Sequence, residues 1–269
     1  MFDEKLAKKA VENLNNMREK KPLVHNITNY VVMNSTANAL LACGASPVMA
    51  HAQEEVEEMV SLAGALVLNI GTLTPYWIDS MLMAAKRANE MNIPIILDPV
   101  GSGATNLRTQ AAKRLIDDLS IQVVRGNASE VLSLAHEGSR TKGVDAIHSV
   151  DEAADAAIVL ARELDTTLAI TGEVDLITDG ARVYMVYNGH ELMGYVTGTG
   201  CTATALIGAF LAVDQDSVAA ASTALAYFGL AGEKGAESAN APGSFQVALL
   251  DALFAIDGDA LQKGARIRT

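Results

Sequence analysis

The chain has 269 residues, half of them hydrophobic, and carries 32 acidic against 20 basic side chains for a formal net charge of −12. That balance argues against a nucleic-acid surface, because binding a phosphate backbone needs clustered Lys and Arg. Two cysteines without CxxC or Cys/His spacing offer neither a disulfide framework nor a zinc knot, and no apolar run is long enough to span a bilayer. A reduced, cytoplasmic protein with no membrane or nucleic-acid partner is expected. The length admits two domains, but no Ser/Pro linker, repeat or low-complexity stretch divides the chain, so a single domain over 1–269 is the preferred reading.

The chain opens on an amphipathic, charge-rich helix over residues 1–21. Short apolar runs then alternate with segments of helical period. The runs, read as strands, are 23–27, 47–49, 65–70, 93–97, 122–124 and 167–171. The intervening helices are expected over 31–43, 54–62, 77–91, 109–119, 128–136 and 150–164. This alternation predicts an α/β fold with a mostly parallel central sheet and helices on both faces. Beyond it, 175–178 and 182–187 flank Asp179-Gly180 and predict a β-hairpin. A strand-like run over 183–196 leads to helices over 202–213, 218–234 and 245–255.

In an open parallel sheet, ligands bind outside the carboxyl ends of the strands, so the residues after each apolar run carry the information. They read Thr28-Asn29, Gly71-Thr72, Asp98-Pro99-Val100-Gly101, Arg125-Gly126-Asn127 and Thr171-Gly172-Glu173. Asp98 before Pro99 is either a turn former or a carboxylate that helps organise a hydrated magnesium ion. Asn127 and Glu130 have capping-box spacing, and a carboxylate in that first turn can also accept a metal-bound water. Arg125 is either a cation for phosphate or a surface ion-pair partner. His25 and His51, lone histidines near strand ends, are read as hydrogen-bonded structural residues.

The residues single out Gly198-Thr199-Gly200-Cys201, a glycine-flanked turn opening a helix, as the place for chemistry. Unpaired N–H groups at a helix start can hold a phosphate or a developing oxyanion, and glycine lets the backbone approach a ligand closely. Cys201 falls in the first helical turn, where the dipole favours a thiolate. The plainer alternative is a loop that needs glycine followed by a cysteine packed as a small hydrophobe.

Seven motifs in order resemble the hydroxyethylthiazole kinase family: HNITNYVVMN at 25–34, SPVMA at 46–50, NIGTL at 69–73, DPVGSGAT at 98–105, RGNASE at 125–130, ITGEVD at 170–175 and GTGC at 198–201. The resemblance spans nearly the whole chain. It implies a ribokinase-like, three-layer α/β/α fold and transfer of the γ-phosphoryl of ATP to the primary hydroxyl of 4-methyl-5-(2-hydroxyethyl)thiazole. It further implies a homotrimer with thiazole sites at subunit interfaces. By motif, Met49 and Gly198 carry over as thiazole-binding, and Arg125 and Thr171 as ATP-binding. Cys201 stands where most ribokinase-like enzymes have an aspartate base, and Asp98 and Glu130 are the magnesium candidates. With the residue-level reading, the resemblance makes Gly198, Gly200 and Cys201 the catalytic turn: its amides hold the transferring phosphoryl group and Cys201 mainly orients the hydroxyl. Asn29 is added to the thiazole pocket by position.

Overall fold

The computed structural model describes residues 2–135 and 150–269. In chain order the elements are α1 (Glu4–Lys20), β1 (Leu23–Ile27), α2 (Met33–Cys43), β2 (Ser46–Val48), α3 (Val56–Ser61), β3 (Ala65–Asn69) and α4 (Pro75–Glu90). They continue with β4 (Ile95–Asp98), α5 (Asn106–Asp118), β5 (Val123–Gly126), α6 (Ala128–Leu132), α7 (Val150–Leu164) and β6 (Thr167–Ile170). The last third holds β7 (Asp175–Thr178), β8 (Val183–Val186), α8 (Thr199–Leu211), α9 (Ser217–Ser238), α10 (Pro242–Ala255), α11 (Gly258–Gly264) and β9 (Ile267–Arg268).

All the described strands join one sheet in the order β2-β1-β3-β4-β5-β6-β7-β8-β9. The pairings are parallel from β2 through β6 and antiparallel from β6 to β9. Because side chains alternate along a strand, each buried strand feeds two cores. Val67, Ile96, Val123 and Ala169 point into one, walled by α1, α2, α8, α9 and α10. Leu68, Leu97, Val124 and Leu168 point into the other, walled by α3, α4, α5, α6 and α7. The result is the three-layer arrangement anticipated from the alternation. The chain leaves β1 for β2 on one side and returns to β3 on the other, and a crevice opens where strand order reverses.

Several boundaries follow local chemistry. Asp3 caps α1 by accepting from the amides of Lys5 and Leu6, and the αL residue Lys21 closes it. Thr74 caps α4, which has proline in its first turn. The anticipated Asp179-Gly180 turn is present, with Gly180 at φ 84° and the Asp179 carboxylate accepting from the amides of Ala181 and Arg182.

The strand expected over 183–196 is corrected. It ends at Val186, and Glu191–Tyr195 form a 3-10 turn. Asn188 breaks the run: its side chain bonds Glu233 and the Gly264 carbonyl and accepts from the Arg266 amide, and Gly189 follows at φ 147°. The helix expected over 128–136 spans Ala128–Leu132, and His136 lies outside the described residues. Strand β9 and helix α11 were not anticipated. The two-residue β9 has no periodicity to read. It is held by pairing with β8 and by Arg268, whose guanidinium lies over the rings of Phe2 and Tyr187.

Candidate active site

The start of α8 lies against the ends of β1, β3, β4 and β5. Gly198 is its N-cap at φ 87°, and the first intrahelical bond runs from the Thr202 amide to the Gly198 carbonyl at 2.8 Å. Helix geometry therefore leaves the amides of Thr199, Gly200 and Cys201 without a partner inside the helix. At both glycines a side chain would crowd a neighbour. A Cβ on Gly198 would lie 2.7 Å from Val32 Cγ1, and one on Gly200 would lie 2.6 Å from Arg125 Nη1.

Two clefts meet at this turn. The larger, about 740 Å³, is lined by polar side chains that include Arg125, Thr171 and Asp175 and by apolar ones that include Met193, Leu225 and Phe228. The smaller, about 390 Å³, is walled by Asn29, Thr72, Asp98, Glu130, Gly198 and Cys201. Arg125, Asn127 and Gly200 line both. Arg125 Nη2 donates to Thr171 Oγ1, and its Nη1 lies 4.0 Å from Asp98 Oδ2. The ATP-binding expectations for Arg125 and Thr171 thus fall on one hydrogen-bonded pair in the larger cleft.

Asp98 ends β4 and is fully buried. Its Oδ2 accepts from Asn69 Nδ2 and Thr204 Oγ1, each at 2.8 Å, while its Oδ1 is buried without a partner. Burial pushes its pKa up to about 6; the Arg125 charge and the Thr204 and Asn69 bonds oppose that rise, while Glu130 adds to it. Glu130 closes the anticipated capping box with Asn127. Its Oε1 also accepts from the Gly101 amide and its Oε2 from the Asn127 amide, so Glu130 ties the loop after β4 to the loop after β5. In the larger cleft, burial raises Asp175 to about 6 against a bond from the Gly172 amide.

At Cys201 the pull of the helix dipole toward a thiolate is outweighed. Burial, reinforced by the neighbouring Asp98, raises its pKa to about 11, against the opposing effects of Asn69, Asn29 and Arg125. The helix dipole is real at this position, but desolvation in a half-closed cleft beside a carboxylate is the larger effect. Cys43 offers no redox partner: it is buried in the core on α2, and its thiol donates to the Leu40 carbonyl.

Asn29 lines the smaller cleft, but both of its amide hydrogens are committed within the protein, to Asn69 Oδ1 and Cys201 Sγ. Met49 follows β2 near the sheet edge and is not among the residues lining either cleft. His25 and His51 are both hydrogen-bonded to backbone carbonyls, as expected. His25 Nε2 bonds the Ala50 carbonyl, His51 stacks on Trp77 at 4.4 Å, and burial lowers both pKa values.

Sequence reasoning missed Asn69, Thr204 and Arg108. Asn69 is the last residue of β3, not the first after it, and its signal was an amide inside an apolar strand. Thr204 lies one turn into α8. Arg108 donates to the carbonyls of Ile70, Val100 and Gly71, clasping two loops of the smaller cleft. A cation in the first turn of α5, against the helix dipole, was the available sign.

The fold and the site at the strand ends define a class. A solved ribokinase-like superfamily protein from Enterococcus faecalis superposes with a TM-score of 0.62 at 15% identity, covering 89% of this chain and 88% of that one. The fold is therefore ribokinase-like. More particularly, a model of the Hydroxyethylthiazole kinase family matches residues 14–259. The hydroxyethylthiazole kinase of Desulfotalea psychrophila is 64% identical over 259 residues, 96% of this chain and 95% of that protein. The solved hydroxyethylthiazole kinase from Pyrococcus horikoshii superposes with a TM-score of 0.89 at 49% identity, covering 96% of this chain and 98% of that one. The chain belongs to the hydroxyethylthiazole kinase family.

Proposed function

We infer that this chain transfers the γ-phosphoryl group of ATP to the primary hydroxyl of 4-methyl-5-(2-hydroxyethyl)thiazole, giving the thiazole phosphate for thiamine salvage and ADP. The observation that carries the reading is the meeting of two clefts of unequal size at one helix N-terminus, with Arg125 and Gly200 common to both. The larger cleft suits a nucleotide, with apolar side chains available to the base and polar ones to the phosphates. The smaller suits a compact alcohol.

Phosphoryl transfer asks a protein mainly for alignment and charge stabilisation. The amides of Thr199 to Cys201 face the seam and hold the equatorial oxygens of the group in transit. Arg125, oriented by Thr171, offsets charge on the donor side. Cys201, protonated at neutral pH, orients the hydroxyl and does not deprotonate it. Asp98 and Glu130 fit a magnesium ion held largely through water. Asp98 Oδ1 is an unpartnered buried oxygen, each Glu130 oxygen accepts a single amide, and among the described residues no three His, Cys, Asp or Glu cluster as a full metal cage. Such a donor set matches magnesium, which takes one or two carboxylates along with phosphate oxygens and water. When bound, the ion would neutralise phosphate charge.

Met49 supports a further part of the reading. A homotrimer that brings Met49 of one subunit to the acceptor cleft of another would account for its position outside the clefts of a single chain. Among the described residues no helix is long and apolar enough to cross a membrane.

The test is ATP consumption with Mg²⁺ in the presence of the thiazole alcohol, hydroxymethylpyrimidine, pyridoxal or no acceptor, with the product identified by mass. Turnover that depends on the thiazole establishes the assignment. Turnover only with another acceptor overturns it. Light scattering of the purified protein, with Met49→Ala kinetics, tests the trimer: a monomer with full activity would exclude it.

A further inference from the structure

Three buried side chains, Asn29 and Asp98 in the wall of the smaller cleft and Asn69 between them, form a chain of hydrogen bonds whose direction is fixed at both ends. The Gly71 amide donates to Asn69 Oδ1 at 3.0 Å, and the Val31 amide donates to Asn29 Oδ1 at 3.1 Å. A backbone N–H can only donate, so the atoms it meets are oxygens and neither side-chain amide can be flipped. The nitrogens follow. Asn69 Nδ2 donates to Asp98 Oδ2 at 2.8 Å, and Asn29 Nδ2 donates to Asn69 Oδ1 at 2.8 Å and to Cys201 Sγ at 3.5 Å. Asn29, Asn69 and Asp98 are all buried. Gly71 makes room for the arrangement, since a Cβ there would lie 2.7 Å from Asn29 Nδ2.

The polarity has a consequence at sulfur. Cys201 Sγ accepts from Asn29, so its own hydrogen must point elsewhere. In Cys43 the corresponding hydrogen goes back to the Leu40 carbonyl three residues earlier at 3.1 Å. Cys201 makes no such bond: the Gly198 carbonyl three residues earlier accepts from the Thr202 amide and not from the thiol. Among the described hydrogen bonds Cys201 Sγ donates to none, and the residue lines the smaller cleft.

We propose that Asn69 and Asn29 are positioning residues: they form a one-way amide relay that holds Asp98 and Cys201 in a single register and presents the Cys201 S–H to the acceptor's hydroxyl oxygen as a hydrogen-bond donor. The proposal rests on the alcohol-kinase reading above. Relay and thiol together fix where the hydroxyl oxygen sits relative to the α8 amides, an alignment on which in-line transfer depends.

Infrared difference spectra and a mutant cycle test it without requiring every variant to be fully active. The S–H band lost in Cys201→Ala belongs to Cys201, with the Cys43 band as an internal reference. On adding the thiazole alcohol to the wild-type protein, that band should move to lower frequency, and in Asn69→Leu the movement should be lost. Asn29→Leu and Cys201→Ala should each lower kcat by about tenfold with little change in the KM of the alcohol, and the double variant should be no worse than either alone. Asn29→Gln should recover part of the loss. An S–H band indifferent to the alcohol, or additive losses in the double variant, would overturn the relay while wild-type turnover of the thiazole left the kinase reading intact. Failure of the wild-type protein to turn over the thiazole alcohol would overturn both.

Discussion

Replacing Gly200 with alanine should separate the stability of α8 from the chemistry at its tip. Alanine in place of a helical glycine favours the fold by up to about 1 kcal/mol. Here the new Cβ would lie 2.6 Å from Arg125 Nη1, 3.1 Å from Nη2 and 3.3 Å from Cζ. The guanidinium must withdraw by about 0.8 Å to reach ordinary contact at 3.4 Å. It is poorly placed to do so, because the side chain is only 13% exposed and its Nη2 is bound to Thr171 Oγ1. Losing one charge-assisted hydrogen bond at the donor phosphates removes about 1.5–3 kcal/mol of transition-state stabilisation, or about 10- to 150-fold in kcat/KM. Steady-state kinetics with each substrate varied, alongside thermal unfolding, should show that loss with Tm unchanged or raised. A folded Gly200→Ala protein with kcat/KM within about twofold of the parent would refute the role given to the Arg125–Gly200 contact.

The other substitutions probe the same seam. Gly198→Ala forces a side chain into the αL region at φ 87° and drives its Cβ to 2.7 Å from Val32 Cγ1, so Tm should fall with a stability loss of at least about 1–2 kcal/mol and turnover should fall with it; an unchanged Tm would contradict this. Cys201→Ala should lower kcat by no more than about tenfold, because a thiol with a pKa of about 11 is almost wholly protonated at neutral pH, and a loss as complete as that on removing Mg²⁺ would show that sulfur does more than orient. Asp98 is a carboxylate whose pKa is about 6 in the fold and 3.8 outside it. Between those values the folded chain binds the extra proton, so stability falls as pH rises, by up to about 3 kcal/mol once the group is ionised. Asp98→Asn should therefore raise Tm at neutral pH in the presence of a chelator, flatten part of that pH dependence and remove most turnover. Asp175, also near 6, will keep the remainder of the slope; a lower Tm for Asp98→Asn would reverse the argument.

Much of this was legible in the sequence, and the exceptions share a cause. Periodicity located β1, β3, β6 and β7 to within a residue, because a strand buried on both faces writes an apolar run and its end is marked by glycine, proline or a polar residue. The Gly198–Cys201 turn and the Asn127–Glu130 box were readable because their geometry is local. Asn69 and Thr204 were not, since both meet Asp98 across separations of 29 and 106 residues that no pattern records. The environment of Cys201 was only half readable for the same reason: the dipole belongs to the local helix, but the burial and the Asp98 charge that outweigh it come from distant parts of the chain. Met49 marks the remaining boundary, because it lines neither cleft and nothing local in its motif says so.

The charge distribution leads to a kinetic expectation that tests the site as a whole. The protein carries −12 overall, and the larger cleft adds Glu173, Asp175 and Glu191 to its wall. Among the described residues, Arg125 is the only Lys or Arg lining either cleft. A polyphosphate therefore meets net repulsion at long range and attraction only at contact, from the α8 amides, one guanidinium and any divalent ion it carries. At about 0.15 M salt, screening acts beyond roughly 8 Å and leaves contacts in a half-closed cleft largely untouched. Raising ionic strength should then weaken the repulsion more than the attraction, so the association rate of MgATP should stay level or rise modestly. This is opposite to an electrostatically steered site, whose on-rate falls steeply with salt. Stopped-flow binding over a salt series at fixed free Mg²⁺ measures it, and a steep fall would mean that a positive surface outside these clefts guides the nucleotide in.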